Sequence, residues 1–177
     1  SVTAVILGSR LFDTIGEVVV FTIAGLGVKI LLSHEQSESQ LVGIQDPVII
    51  YLLDFVALLS TFLAVELAIR GHISPGGGFA AGVAGATAVT LLMVTGRLKL
   101  IEEYYSRANA TVLEKLAVIT FILLALMSFG SSIYPTSAYA LIPQKIYIPA
   151  LNIAAGLKVT IGAWSIIRLF INKRGII

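Results

Sequence analysis

Three charged residues lie deep inside long apolar stretches of this sequence, where ionisable side chains are rare. They are Glu17, Asp54 and Lys158. Placing an ionisable group near the centre of a bilayer costs at least ~2.5 kcal/mol on insertion scales, so such residues usually have a function. A carboxylate there can bind a cation or carry a proton, and a nearby ammonium changes its affinity for both. The three residues are therefore candidates for an ion or proton path.

The composition supports a membrane setting for these residues. Of 177 residues, 57% are hydrophobic and 12% are charged, and the mean hydropathy is +0.96. A soluble domain carries roughly 25% charged residues, so this chain has too little polar surface for a water-soluble globule. The net charge is only +2, and the basic residues lie at helix ends rather than in a stripe. Nucleic acid is therefore not an expected partner.

The residue types also argue against chemistry by the chain itself. The sequence contains no cysteine, so no thiolate is available for an iron–sulfur cluster. His34 and His72 lie far apart and form no metal-ligand pair. Three successive glycines, 76–78, lack the G-K-[ST] ending of a phosphate-binding loop. We predict that the chain is not catalytic by itself and holds neither a cofactor nor a metal.

Charge-free stretches predict where the chain crosses the membrane. Residues 71–96 and 116–144 carry no formal charge, and a spanning helix needs about 20 mostly apolar residues. We predict an all-α, multi-pass membrane protein with about five transmembrane helices. The predicted spans are 14–33, 48–70, 77–96, 112–134 and 148–171.

Lysine and arginine at the ends of these spans predict the orientation. One side carries Arg10, Arg70 and Lys145, whereas the other carries Arg97, Lys99, Arg107, Lys173 and Arg174. Because positive residues stay on the cytoplasmic side, the C-terminus is expected in the cytoplasm and the N-terminus outside.

The charged residues inside the predicted spans allow different interpretations. Lys158 lies near the middle of the last predicted span, too deep for its side chain to reach the interface, so it faces either an ion path or a buried ion pair. Asp54 has Thr61 on the same helical face, and the two could form part of a cation or proton site. Glu66 precedes Arg70 by four residues, which favours an ion pair at the interface.

The loop before the third predicted span has an unusual sequence, GHISPGGGFAAG, at 71–82. Serine caps helices, proline suits the first turn, and the glycines permit close backbone approach. The stretch could build a tight external hairpin, open backbone polar groups to an ion or water path, or form a docking surface. His72 could carry a proton or order the turn. The candidate turn and packing residues are Ser74, Pro75, Gly76, Gly77, Gly78, Phe79 and Gly82.

The nine residues GHISPGGGF resemble the G-H-x-S-P-G-G-G-F signature of the MnhB/MrpB family. Members are small membrane subunits of Mrp-type Na⁺/H⁺ antiporters and of related energy-converting hydrogenase and sulfur-reductase complexes. The resemblance implies a four-helix module at 47–177. One departure is that Ala80, Ala81 and Gly82 follow Phe79, where the family usually has glutamine and two glycines.

A second resemblance concerns the N-terminal part, which contains RLFDTIGEVVVFTIAGLGV. It is similar to the R-G-F-D-T-L-G-E segment near the C-terminus of the large MrpA subunit. Residues 1–46 would then be a helix and a polar connection fused to the MnhB-like module. In the family, a further helix precedes this segment. Glu17 falls on the acid that the family implicates in cation passage. The alternative is a capping box, Thr14-x-x-Glu17, of the kind that recurs at Thr111 and Glu114.

Together the resemblances imply a membrane subunit of a cation- and proton-translocating complex in the cell membrane of a prokaryote. Expected partners are other membrane subunits, Na⁺, H⁺ and lipid, with iron–sulfur redox subunits reached only through the complex. Glu17 would contribute to the ion path, with Lys158 or Asp54 as charge partner. The alternative function is a purely structural membrane adaptor, in which the charges form static pairs.

Overall fold

A computed structural model of the chain describes residues 2–34, 44–71, 76–107, 109–133 and 144–174. Within these residues the fold is all-α, as predicted. The helices are α1 (Val2–Leu32), α2 (Pro47–Arg70), α3 (Gly77–Leu92), α4 (Leu98–Arg107), α5 (Ala110–Ile133) and α6 (Gln144–Arg174).

Three of the described segments are long and apolar enough to cross a membrane. They are Pro47–Arg70, Gly77–Arg97 and Pro149–Ile171, and they coincide with three of the predicted spans. The other two predicted spans fall on α1 and α5, helices of 31 and 24 residues. That α1 and α5 also cross the membrane stays a prediction.

Helix α6 is the centre of the fold, because α1, α2, α3 and α5 all pack against it. One apolar cluster joins Val18 of α1, Phe121 and Ala125 of α5, and three residues of the first half of α6. Val159, in the middle of α6, is completely buried. Most other large apolar side chains of α1, α2 and α5 are exposed, as expected for helices that meet lipid or other membrane proteins.

Glycines bring α3 very close to α6. A β-carbon at Gly82 would lie 2.7 Å from Val159 Cγ1 and 2.8 Å from the Gly156 carbonyl oxygen, and one at Gly85 would lie 2.7 Å from Thr160 Oγ1. The Thr160 hydroxyl donates a hydrogen bond of 3.2 Å to the Gly82 carbonyl oxygen. The small residues therefore allow direct backbone contact between two membrane helices.

The helical conformation is interrupted after α3, at the end that is predicted to face the cytoplasm. Residues Met93–Arg97 form an irregular segment in which Gly96 has φ of 84°, a left-handed conformation that glycine adopts without strain. Helix α4 then leaves in a new direction, and its buried Ile101 packs with Met93 and Ile171. The break turns a membrane helix into a short amphipathic one.

The helix starts overturn the capping-box hypotheses. Helix α1 is continuous from Val2 to Leu32, so Thr14 lies inside a helix and cannot be the N-cap of Glu17. Helix α5 begins at Ala110, where the backbone of Asn109 accepts hydrogen bonds from Val112 and Leu113. Thr111 therefore lies in the first turn and is not an N-cap either. Capping does not explain Glu17 or Glu114.

The contact between α3 and α6 predicts that Gly82→Ala destabilises the protein by about 1–3 kcal/mol, because the added methyl group overpacks a filled interface. The change is measured by unfolding in detergent micelles. Gly27→Ala is the matched control, since nothing lies within 4 Å of a β-carbon there. Equal stability of the two variants would contradict the packing account.

Candidate functional site

The candidate site is centred on Lys158, which is only 2% exposed. Its Nζ lies 3.8 Å from Glu114 Oε1 on α5 and 4.8 Å from the centre of the Phe21 ring on α1. The ammonium thus has one carboxylate and one aromatic face as partners, contributed by two different helices. Since a buried charge needs a partner, Glu114 and Phe21 account for its stability inside α6.

Gly162 makes room for this cluster, one turn after Lys158 on α6. A β-carbon there would lie 2.9 Å from Phe21 Cε1, 3.2 Å from Glu114 Oε1 and 3.5 Å from Lys158 Nζ. All three groups therefore converge on the backbone of one glycine. The α6 surface around Lys158 and Gly162 is therefore the place where α1, α5 and α6 meet.

A fourth helix reaches the cluster through Phe79, the phenylalanine of the GHISPGGGF signature. The rings of Phe21 and Phe79 form an edge-to-face pair with centres 6.1 Å apart and planes at 85°. Such a geometry is favoured by the charge distribution of aromatic rings. The signature on α3 is thus connected to Lys158 through a side chain of α1.

Glu17 lies level with Lys158 across the contact between α1 and α6. Phe21 packs against Gly162, and Gly25 packs against Ile166, so both helices advance by four residues and run parallel. One turn earlier, Glu17 is therefore at the height of Lys158. Glu17 is exposed, and among the described residues the ion pair of Lys158 is with Glu114, not with Glu17.

Asp54 lies elsewhere in the protein, in contact with the break after α3. Arg97 donates two hydrogen bonds to its carboxylate, of 2.8 and 2.7 Å. The Thr61 hydroxyl, the expected companion of Asp54, instead donates to the carbonyl oxygen of Ala57 at 2.9 Å. Asp54 thus links α2 to the broken end of α3, and the structure does not bring it together with Glu17 or Lys158.

Two further ion pairs lie near the ends of helices. Arg70 and Glu66 are 3.7 Å apart on exposed side chains of α2, which confirms the pair predicted from their spacing. Arg168 of α6 donates to Glu102 of α4 at 3.1 Å. The second pair ties the amphipathic helix to the central helix.

The structure describes only some of the candidate turn and packing residues of the signature. Gly76 and Gly77 have φ of 136° and 73°, so the chain enters α3 through conformations that favour glycine. Gly78 and Gly82 are buried, and an added β-carbon at either would meet α6. His72, Ser74 and Pro75 lie outside the described residues. Across the described ranges, no group of three or more potential metal ligands occurs.

Sequence reasoning missed Glu114 and Phe21 as members of the site. Glu114 was assigned to a cap because Thr111 precedes it by three residues, although a carboxylate at the start of an apolar span is also a natural partner for a deep lysine. Phe21 follows Glu17 by four residues and therefore lies one turn away on the same side of α1. No sequence signal connected either residue to α6.

Lys158 and Glu114 form an ion pair without a direct hydrogen bond. At 3.8 Å the ammonium and carboxylate are close enough for strong attraction but too far apart for a hydrogen bond. The flexible lysine side chain starts at the level of one carboxylate, Glu17, and ends beside another, Glu114.

Comparisons with known proteins agree with the geometry. A family model described as a domain related to the MnhB subunit of Na⁺/H⁺ antiporter matches residues 48–165. A solved chain from the membrane-bound sulfane sulfur reductase, an archaeal respiratory membrane complex, superposes with a TM-score of 0.67 at 26% identity. The alignment covers 96% of this chain and 77% of that chain. No curated protein matches the sequence.

The buried ion pair predicts a strong dependence of stability on Glu114. Glu114→Gln leaves the Lys158 ammonium without its counter-charge and should cost about 3 kcal/mol, the lower end for buried pairs because Glu114 is 26% exposed. The double variant Glu114→Gln, Lys158→Met should recover most of the loss. Unfolding in detergent is measured for the unsubstituted protein, both single variants and the double variant, and additive effects would contradict the pairing.

A second double-mutant cycle, again measured by unfolding in detergent, tests the ion pair between Asp54 and Arg97. Asp54→Asn and Arg97→Gln should each destabilise the protein by about 1 kcal/mol, and the double variant should lose no more than either alone. Arg97→Lys should not restore the loss, because lysine lacks the two-pronged guanidinium. Full stability of Arg97→Lys would show that only the charge matters.

Proposed function

The chain belongs to the family of domains related to the MnhB subunit of Na⁺/H⁺ antiporters, and we propose that it contributes a charged centre to Na⁺ and proton movement through an Mrp-type membrane complex. In this proposal the chain is not catalytic by itself. The observation that carries the proposal is the burial of Lys158 between Glu114 and Phe21, level with the exposed carboxylate of Glu17.

The energetics of the ion pair support a transport role. Removing two charges from water costs several kcal/mol per ion, and apolar side chains of similar volume would hold three helices together equally well or better. A subunit that only joins larger subunits has no need for Lys158, Glu114 and Glu17 within one helical turn of each other in depth. A subunit that moves cations does need such groups.

The proposed mechanism is competition for carboxylates. With its ammonium beside Glu114, Lys158 leaves Glu17 available to a sodium ion or a proton. When the ammonium swings towards Glu17, that cation is expelled and Glu114 becomes available instead. The two acids then bind the mobile cation in turn, and Lys158 prevents both from being occupied together.

The proposed partners are other membrane subunits of the complex, together with Na⁺, H⁺ and lipid. The similarity to a chain of a sulfane sulfur reductase supports coupling to iron–sulfur redox subunits elsewhere in the complex. We place the protein in the cell membrane of a prokaryote with its C-terminus in the cytoplasm. Residues 1–46 would be the MrpA-like segment, and the packing of α1 on α6 supports its fusion to the module at 47–177.

A second candidate function is a structural adaptor. The bidentate Asp54–Arg97 pair and the close contact between α3 and α6 favour it, since both stabilise the helices without moving ions. This function predicts that Lys158→Met lowers the yield of assembled complex. Lost transport at full assembly yield would contradict it.

The proposal predicts that Glu17→Gln lowers sodium-linked proton flux of the reconstituted complex at least ~10-fold. The neutral amide of glutamine binds protons and sodium ions much more weakly than the carboxylate of glutamate does. Glu66→Gln is the control, since Glu66 pairs with Arg70 at an exposed helix end. Assembly is checked by the yield of intact complex. Unchanged flux in Glu17→Gln would remove Glu17 from the path.

A further inference from the structure

We propose that Phe21 is a positioning residue, which holds the Lys158 ammonium beside Glu114 and away from Glu17, and that Phe79 of the signature orients the Phe21 ring. The inference rests on the proposed function, because it assigns a role to a side chain that acts through Lys158. It also gives the signature phenylalanine a task beyond helix packing.

The position of the ammonium supports this role. Lys158 Nζ lies within 3.5 Å of the β-carbon position of Gly162, so the side chain runs one turn along α6 from the level of its own backbone. Glu17 lies at the level of the Lys158 backbone. Glu114 and the Phe21 ring lie one turn further along α6, at the level of the Lys158 ammonium, and together they hold the charge there.

The contact with Phe21 is of the right kind to hold an ammonium. The distance of 4.8 Å from Nζ to the ring centre lies within the ~6 Å range of cation–π attraction, which strengthens when the cation is removed from water. Phe21 also stands one turn after Glu17 on α1. The ring therefore occupies the place on α1 beside which the ammonium must pass to reach Glu17.

Phe79 gives the ring a defined orientation. The two rings stand at 85° with centres 6.1 Å apart, so a rotation of Phe21 would break the edge-to-face contact. Phe79 itself is anchored at the start of α3, between Gly78 and Gly82, which pack against α6. The signature thus sets the position of Phe21 from a helix that does not itself contact the ammonium in the described structure.

The first test needs no transport. Phe21→Leu, Lys158→Met and their double variant are compared by unfolding of the purified protein in detergent. Coupling between the two positions should change the unfolding equilibrium about tenfold relative to additive effects, as expected for a desolvated cation–π contact. Phe21→Trp should keep the coupling, because an aromatic face remains. Additive effects, or a Phe21→Trp variant that behaves like Phe21→Leu, would overturn the inference.

The second test uses sodium-linked proton flux of the reconstituted complex. In Phe21→Leu the released ammonium spends time at Glu17 and competes with sodium, so the Na⁺ concentration for half-maximal flux should rise about tenfold. Phe79→Leu should shift it in the same direction by less, and Phe21→Trp should restore it. Phe62→Leu, on an exposed face of α2, is the control and should leave it unchanged.

The two tests separate the inference from the proposed function. Coupling in the unfolding cycle with unchanged flux in every Phe21 variant would mean that Phe21 holds Lys158 but that Lys158 lies off the ion path. That result would contradict the proposed transport role of Lys158, Glu114 and Phe21, and only the structural contact between Phe21 and Lys158 would stand. Absence of coupling would overturn the positioning role even if flux changed.

Discussion

The whole arrangement depends on how closely neighbouring helices can approach α6. On one side, Gly78, Gly82 and Gly85 let α3 touch the backbone of α6. On another side, Gly162 leaves space into which Phe21, Glu114 and the Lys158 ammonium converge. Lipid supplies little hydrophobic drive for helix association, so van der Waals contact at small residues has to supply much of the stability. Glycines of α3 therefore join two helices, and a glycine of α6 leaves the space for the polar site.

Close packing also explains why charges can persist in so apolar a chain. Lys158 is buried because α1 and α5 cover it, and each contributes one group that attracts an ammonium. Asp54 and Arg97 solve the same problem at the end of α3, where two hydrogen bonds neutralise both charges. The difference between the sites is geometric. The Asp54 pair is short and bidentate, whereas the Lys158 pair is longer, at 3.8 Å, and has no direct hydrogen bond.

Sequence reasoning succeeded where the physics is local. Long, mostly apolar stretches with few charges located α2, α3 and the apolar part of α6, because the length of an apolar run is set by the thickness of the bilayer. The spacing of Glu66 and Arg70 predicted their ion pair, since residues four apart meet on a helix. The small residues of the signature indicated close packing for a similar reason.

Sequence reasoning failed where contacts between distant parts of the chain decide which residues meet and where a helix begins. The capping boxes were wrong because the helices begin upstream of Thr14 and Thr111, which a local motif does not reveal. Arg97 is 43 residues from Asp54 in sequence, and Phe21 and Phe79 come from the two modules. Each meets its partner only through packing around α6. The depth of Glu17 relative to Lys158 likewise follows from the register of two helices that are distant in sequence.

The most direct test of the account is purification of the native protein in mild detergent with mass-spectrometric identification of everything that co-purifies. The account predicts stoichiometric recovery with large antiporter-like membrane subunits, since the proposed ion path through Glu17 and Lys158 has to continue in other subunits. A chain that emerges alone, intact and folded would contradict it, because the protein would then not be a subunit of a larger membrane complex.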